Sequence, residues 1–404
     1  MHQNNQTIRF FNPTAELAIA NGLISYQPNS LLKRFESDLA YLPYVLSSNE
    51  DLILVDKYEN FEHVDLLKSC GFKTPGQILQ TDFFKYPPRV VDKNNNFIPW
   101  CWAPNIEHKL TKFGYLERTN VRSIESKWTN QRYFYSRAFA LDVLNKIKPE
   151  LDPKITIDNN DSPQIVNSIE SVKELLERYK ALVLKAPWSS SGRGLIVLKK
   201  ALLPENIIQR INSILKEQTY LMAEPLLNKK MDFAIQFEAK NESITFAGES
   251  YFETDSVGQY QKNYINTYPD KVEQEVILFW ESIKNDIINK LTKTLIDKKL
   301  YLQHQGFFGV DMLIFTKGDQ LKIQPCLEIN LRQNMGIVTK KIIDTIHPEA
   351  KGTFNIFFEP KLSYETFIDH AFKKPTMADD KLIKGLIPLT SHREKKFGAY
   401  IELH

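Results

Sequence analysis

Three oxygen-bearing side chains stand close together near the end of the chain. Asp311 lies in the run GVDMLIF, and Glu328 and Asn330 close the run LKIQPCLEIN. Both runs are rich in β-prone residues and are joined by Lys317-Gly318-Asp319-Gln320, so Gly318-Asp319 is read as a two-residue hairpin turn. Counting outward from that turn, Asp311 falls opposite Cys326. Opposed residues share a face of the sheet, as do residues two apart, so Asp311, Glu328 and Asn330 all point the same way. Two carboxylates and an amide oxygen on one face repel unless a cation lies between them, and an all-oxygen donor set suits Mg²⁺. The competing readings are ordinary polar alternation on a solvated strand, or pairing with Arg332. A slip of one residue in the turn would point the three apart.

A second cluster lies upstream. The chain has 15 glycines in 404 residues, yet Ser189-Ser190-Ser191-Gly192-Arg193-Gly194 places two of them with three hydroxyls between two strand-like runs. Glycine lets successive backbone N–H groups converge on an anion, and hydroxyls and Arg193 add donors, so the loop can cradle phosphate. A plain hairpin loop is the alternative. Lys185 ends the apolar strand just before it, where a cation needs either a partner or a path to solvent.

Other chemistries lack their residues. There is no G-x-x-x-x-G-K-[ST], no G-x-G-x-x-G after the first strand, no H-E-x-x-H and no G-x-S-x-G. Three cysteines without a C-x-x-C pair suggest neither zinc nor a disulfide framework, and a reduced, cytoplasmic setting is expected. Lys and Arg number 52 against 49 acidic residues and are scattered, so no nucleic-acid partner is implied. No apolar run is long enough to span a membrane, and the N-terminus lacks the pattern of a secretory leader. An apolar fraction of 42% allows a sizeable core.

The elements that must position these groups alternate. Thr7 to Phe11 reads as a strand, Asn12-Pro13 as the cap of a helix, SLLKRFESDLAYL as a helix and DLILV as a buried strand, which suggests a parallel sheet. Prolines interrupt the segment from about 73 to 105. One long helix is expected from Ser126 to Lys148, with a lobe boundary near 125. Beyond it come a helix over SVKELLERYK, strands over ALVLKAP and LIVLKK, a helix over PENIIQRINSILKEQ and a strand over TYLMAEPLL. An antiparallel pair then turns at Asn241-Glu242, and a helix runs through roughly 272 to 299.

Lys185, the SSSGRG loop, Glu224, Asp311 and the Glu328-Ile329-Asn330 triplet come in an order and spacing that resembles the ATP-grasp superfamily, over about residues 126 to 345. The resemblance implies a mixed α/β and α+β fold, in which two α+β subdomains clasp ATP behind a Rossmann-like pre-ATP-grasp domain. The implied divisions are 1–125 for that first domain, 126–224 and 225–350 for the subdomains, and 351–404 for an extension packing on the core. It further implies ATP with Mg²⁺, or Mn²⁺ in its place, held by Asp311, Glu328 and Asn330. Lys185 and the loop from Ser189 to Gly194 would contact the phosphates, as would Lys127, with Arg132 or Arg137 as substitutes. Glu224, Leu226 and Leu227 would form the hinge beside adenine, and Asp232 would meet the ribose. Arg332, in EINLR, resembles an arginine of the family, with Leu331 in place of its proline, and is expected to act catalytically with Lys185.

The activity implied is ligation. A carboxylate takes the γ-phosphoryl group and an amine then displaces phosphate, so both partners are small molecules. Asn12, Glu16, Tyr260 and Asn263 are the candidate substrate residues. A small-molecule kinase and a non-catalytic nucleotide sensor are alternatives on the same scaffold. A sugar-nucleotide transferase is a third, and it would need two facing Rossmann-like lobes.

Overall fold

In the computed structural model, which describes residues 6–85, 96–117, 119–188, 194–255, 258 and 260–404, the chain opens on a four-stranded parallel sheet. Its strands are β1 (Thr7–Phe10), β2 (Leu52–Val55), β3 (Gly76–Leu79) and β4 (Asn96–Pro99), in the order β3-β2-β1-β4. Short apolar strands joined by helices cannot pair as hairpins, so crossover connections make them parallel. After β1 a 3-10 turn at Pro13–Ala15 leads into the helix Glu16–Asn21. Asn12 does not cap that turn. Its Nδ2 donates to the Cys101 carbonyl at 2.8 Å and its Oδ1 accepts from Cys101 N at 3.2 Å, bracing β1 against the end of β4.

The long helix expected over 126–148 is broken. Helix Val121–Gln131 passes through a 3-10 turn at Arg132–Tyr135 into a new helix, Arg137–Ile147. Ser136, extended and accepting from Phe139 N, caps the second helix, because serine competes for backbone donors better at a helix start than inside one.

A small antiparallel sheet follows, with β5 (Gln164–Val166), β6 (Leu182–Lys185), β7 (Leu195–Leu198) and β8 (Leu221–Pro225) in the order β5-β8-β6-β7. The helices Ile169–Tyr179 and Glu205–Gln218 cover it.

The third sheet has nine strands. They are β9 (Asn228–Lys240), β10 (Ser243–Thr254), β11 (Tyr260–Ile265), β12 (Gly306–Lys317), β13 (Gln320–Asn330), β14 (Gly352–Phe358), β15 (Lys373–Ala378), β16 (Lys381–Pro388) and β17 (Phe397–Leu403). The order is β13-β12-β9-β10-β11-β14-β17-β16-β15. Turns at Asn241-Glu242 and Gly318-Asp319 stand as read from sequence, since Lys240 pairs with Ser243 and Lys317 with Gln320. Gly318 sits at φ +59°, where glycine avoids the cost a side chain would incur.

One face of this sheet, through Phe233, Ile235, Phe237, Val310 and Met312, is buried under the helices Arg137–Ile147 and Gln274–Asp297. Near β11 and β14 the sheet packs on helix Met335–Thr345 and the first sheet, with Ile265, Val338, Phe354, Ile53 and Tyr44 in one core.

Candidate active site

Asp311 and Glu328 face each other on the hairpin β12–β13. From the turn to Leu313–Gln324 the register is the one expected, but the ladder then slips, and Asp311 lies opposite Glu328 instead of Cys326. Two steps along β12 are matched by four along β13. Pro325 falls in that irregular stretch, where it has no N–H to give the ladder. A slip of two residues preserves the face, so Asp311, Glu328 and Asn330 still point the same way. A sugar-nucleotide transferase with its carboxylates between two Rossmann-like lobes is thereby dismissed.

The polar contacts form a chain. Asn330 Nδ2 donates to Asp311 Oδ2 at 3.1 Å, and Asn330 Oδ1 accepts from an Arg332 η nitrogen at 3.2 Å. Arg332 Nε donates to Glu16 Oε1 at 2.6 Å. On the other side, Arg137 donates to Glu328 Oε2 at 2.7 Å and to the Ala186 carbonyl at 2.9 Å. Burial, and then the charge of Glu328, push the Asp311 acid up to about 7, against the pull of Arg332, Asn330 and Arg137. Burial opposes the charge of Arg332, yet Glu16 holds its guanidinium above its ordinary value.

A buried carboxylate under-compensated by its neighbours, with a second carboxylate opposite and an amide beside it, forms an oxygen donor set that fits a hard divalent cation. Among the described residues no group of three or more His, Cys, Asp or Glu gathers as a metal cluster. A cation held here would therefore need the amide oxygen of Asn330 beside the two carboxylates.

Lys185, at the end of β6, forms an ion pair with Glu224 of the neighbouring strand β8, and both side chains are largely buried. Each offsets part of the cost of burying the other's charge. Ala186 N donates to the Gly194 carbonyl at 2.9 Å, closing the base of the loop. Ser189, Ser190, Ser191, Gly192 and Arg193 lie outside the described residues. Leu226 leaves β8 with its N–H on the Ala181 carbonyl, and Leu227 packs on the main core.

Asp232 of β9 lies opposite Leu313, one row along from Ala234 and Asp311, and so shares the face of the carboxylate pair. Its carboxylate takes Lys229 and, at 3.1 Å, the Thr254 hydroxyl. Tyr260 opposes Thr254 and Asn263 opposes Phe252, so both fall on this face. The Tyr260 hydroxyl and Asn263 Oδ1 are buried without a partner.

One candidate stands apart from these contacts. Lys127 pairs with Glu107 at 2.9 Å, against which the Trp128 indole N–H also rests, and lines a cavity of about 280 Å³ with Trp102, Tyr135 and Gln303. Arg137, named from sequence only as a substitute, is the cation that joins Glu328 to the end of the Lys185 strand. Asn12, with both amide atoms spent on Cys101, is a structural brace. The sequence reading passed over a buried network one row below Asp311, in which Gln236 donates to Ser250 and accepts from Asn334, each at 2.9 Å. A glutamine inside the apolar run FAIQF was its signal.

No family model and no curated protein matches the chain. Solved structures do. N5-carboxyaminoimidazole synthetase from Staphylococcus aureus, complexed with ADP, is 12% identical at a TM-score of 0.47, over 98% of this chain and 93% of that one. Biotin carboxylase from Campylobacter jejuni is 12% identical at 0.48, over 99% and 87%. Rhizobium etli pyruvate carboxylase is 9% identical at 0.50, over 98% of this chain but 35% of that longer one. At such identities the likeness is one of fold.

Proposed function

We propose that this chain, which has the ATP-grasp fold, is an ATP- and Mg²⁺-dependent ligase that activates a carboxylate as an acyl phosphate for attack by an amine. The observation that carries the reading is the opposed pair Asp311–Glu328, tied by Arg137 to the strand end that presents Lys185. Phosphates lying between these groups would meet Lys185 on one side and, through a cation, the carboxylate face on the other. In this reading Glu224 gives up Lys185 to the nucleotide and is left at the hinge, and Asp232 is the proposed ribose contact. The divisions at 125, 224 and 350 belong to the same proposal.

Phosphoryl transfer demands positioning and charge neutralisation more than a side-chain nucleophile. The carboxylate oxygen of the substrate bonds to the γ-phosphorus as the bond to the β-phosphate oxygen breaks, and ADP leaves. The amine nitrogen then attacks the acyl carbon, the C–O bond to phosphate breaks, and the amine's proton passes to phosphate or water. A cation held by Asp311, Glu328 and Asn330 supplies neutralisation of the phosphate charge. Lys185 and Arg137 share that task, and Arg332 orients the Asn330 amide.

ATP titration by calorimetry, with and without Mg²⁺, tests the reading in the wild type and in Glu328→Ala. Affinity should rise at least tenfold with Mg²⁺ in the wild type only, and a metal-dependent gain that survives in the variant would sink the site. A metabolite screen by thermal shift with Mg-ATP present then finds the substrates, since a true ligand stabilises the fold by mass action. Release of ADP and phosphate from carboxylate plus amine marks a ligase, whereas a stable phosphoester marks a kinase.

A further inference from the structure

Arg332 has three carboxylates within reach of its charge. Glu16 takes its Nε at 2.6 Å, while Glu328 and Asp311 act on it through their fields. The guanidinium stands beside the carboxylate pair, since its η nitrogen lies 3.2 Å from the oxygen of Asn330, and the same amide's nitrogen lies 3.1 Å from Asp311. An arginine left free there has an obvious alternative: a bidentate bond to Glu328 or Asp311, which would occupy the place a cation needs.

What prevents that collapse comes from a distant part of the chain. Glu16 begins the helix that follows β1 of the first sheet, 316 residues away in sequence, and its side chain is mostly buried against Arg332. The opposite end of the guanidinium is fixed to the Gln333 carbonyl at 3.3 Å. Glu16 Oε2 is buried with no partner. A carboxylate kept only to tie two parts of the fold together gains nothing from a desolvated, unbonded oxygen, which costs stability.

We infer that Glu16 is a positioning residue: it holds Arg332 off the Asp311–Glu328 pair and so sets the affinity of the divalent cation from the first sheet. The inference rests on the reading of that pair as the cation site. It makes occupancy of the metal face depend on how the N-terminal sheet is seated, because any shift of β1 and its helix is passed to Arg332 through one charged bond.

Mn²⁺ binding, followed by electron paramagnetic resonance with ADP present, tests this in the full chain without needing a substrate. Glu16→Gln, which keeps the shape and removes the charge, should weaken Mn²⁺ at least tenfold. The double variant Glu16→Gln with Arg332→Gln should recover to within about threefold of wild type, since no guanidinium is left to invade the pair. Glu16→Asp, charged but shorter, should fall between, and serves in place of Glu16→Gln if that variant does not fold.

Wild-type affinity in Glu16→Gln, with only a lower melting temperature, would show a merely structural tie and overturn the inference. A loss that the double variant fails to recover would overturn it too. If the wild type itself binds no Mn²⁺, the cation reading fails first, and the inference with it.

Discussion

Arg137 is the side chain on which the two halves of the proposed nucleotide site converge, because its two η nitrogens bond a backbone carbonyl beyond β6 and the carboxylate of Glu328 on β13. A lysine offers one charged nitrogen on a shorter reach where this position uses a planar fork, so Arg137→Lys should hold the two partners less well. We expect Arg137→Lys to lower Mg-ATP affinity about tenfold and Arg137→Ala more, with Glu328 left partly uncompensated; calorimetric titration of Mg-ATP checks both. The carboxylates were legible in the sequence because a short turn and period-two alternation are local rules. The role of Arg137 was not, because its partner is 191 residues away and nothing in SKWTNQRYFYSR marks the one cation that reaches it. Lys127 looked equivalent there, and only the break in the helix at Ser136 sends the two in different directions.

Between elements, helix Met335–Thr345 seats its first turn on the nine-stranded sheet through Gly336, at a point where β9 and β10 bring Gln236 and Ser250 together. A methyl group at Gly336 would run into the Gln236 amide and the Ser250 hydroxyl, and Asn334, whose oxygen caps that helix, is bonded to the same glutamine. Gly336→Ala is therefore an overpacking substitution in a polar core. It should cost about 1–3 kcal/mol, read as a lower urea midpoint with an unchanged slope. If stability were unchanged, the network would not be rigid. Hairpins with two-residue turns could be read from the sequence because the turn sets the register. The slip beside Pro325 could not, since a proline in a strand announces an irregularity but not its size.

At the scale of the whole molecule, the last fifty residues are part of the core. β14 to β17 complete the nine-stranded sheet, and Leu382, Ile387, Phe397 and Ile401 share one apolar cluster with Phe11, Tyr41 and Ile53 from the chain's beginning. The same junction buries charge. Glu59 bonds Lys395 at 2.7 Å and Ser391 N at 2.9 Å, with His63 in its field. Burial pushes His63 down to about 4, against the pull of Glu59, and burial does the same to His304 beside β12. In the unfolded chain both imidazoles return to about 6.5. Between pH 6.5 and 4 each of these imidazoles therefore takes up its proton in the unfolded chain and not in the folded one, so each contributes a loss of stability as the pH is lowered, opposed by Asp311 and Glu36, whose acids burial pushes up to about 7. Each histidine contributes a slope of about 1.4 kcal/mol per pH unit there. Glu59, held below its ordinary value by Lys395 despite its burial, adds a loss in the same direction at more acidic pH. Urea unfolding measured from pH 7 to pH 4 isolates the His63 share by difference: His63→Asn should change the pH slope of stability by about one proton relative to the wild type. A slope unchanged in that variant would mean that the imidazole takes up its proton without the fold opening, and that the junction is looser than its packing indicates.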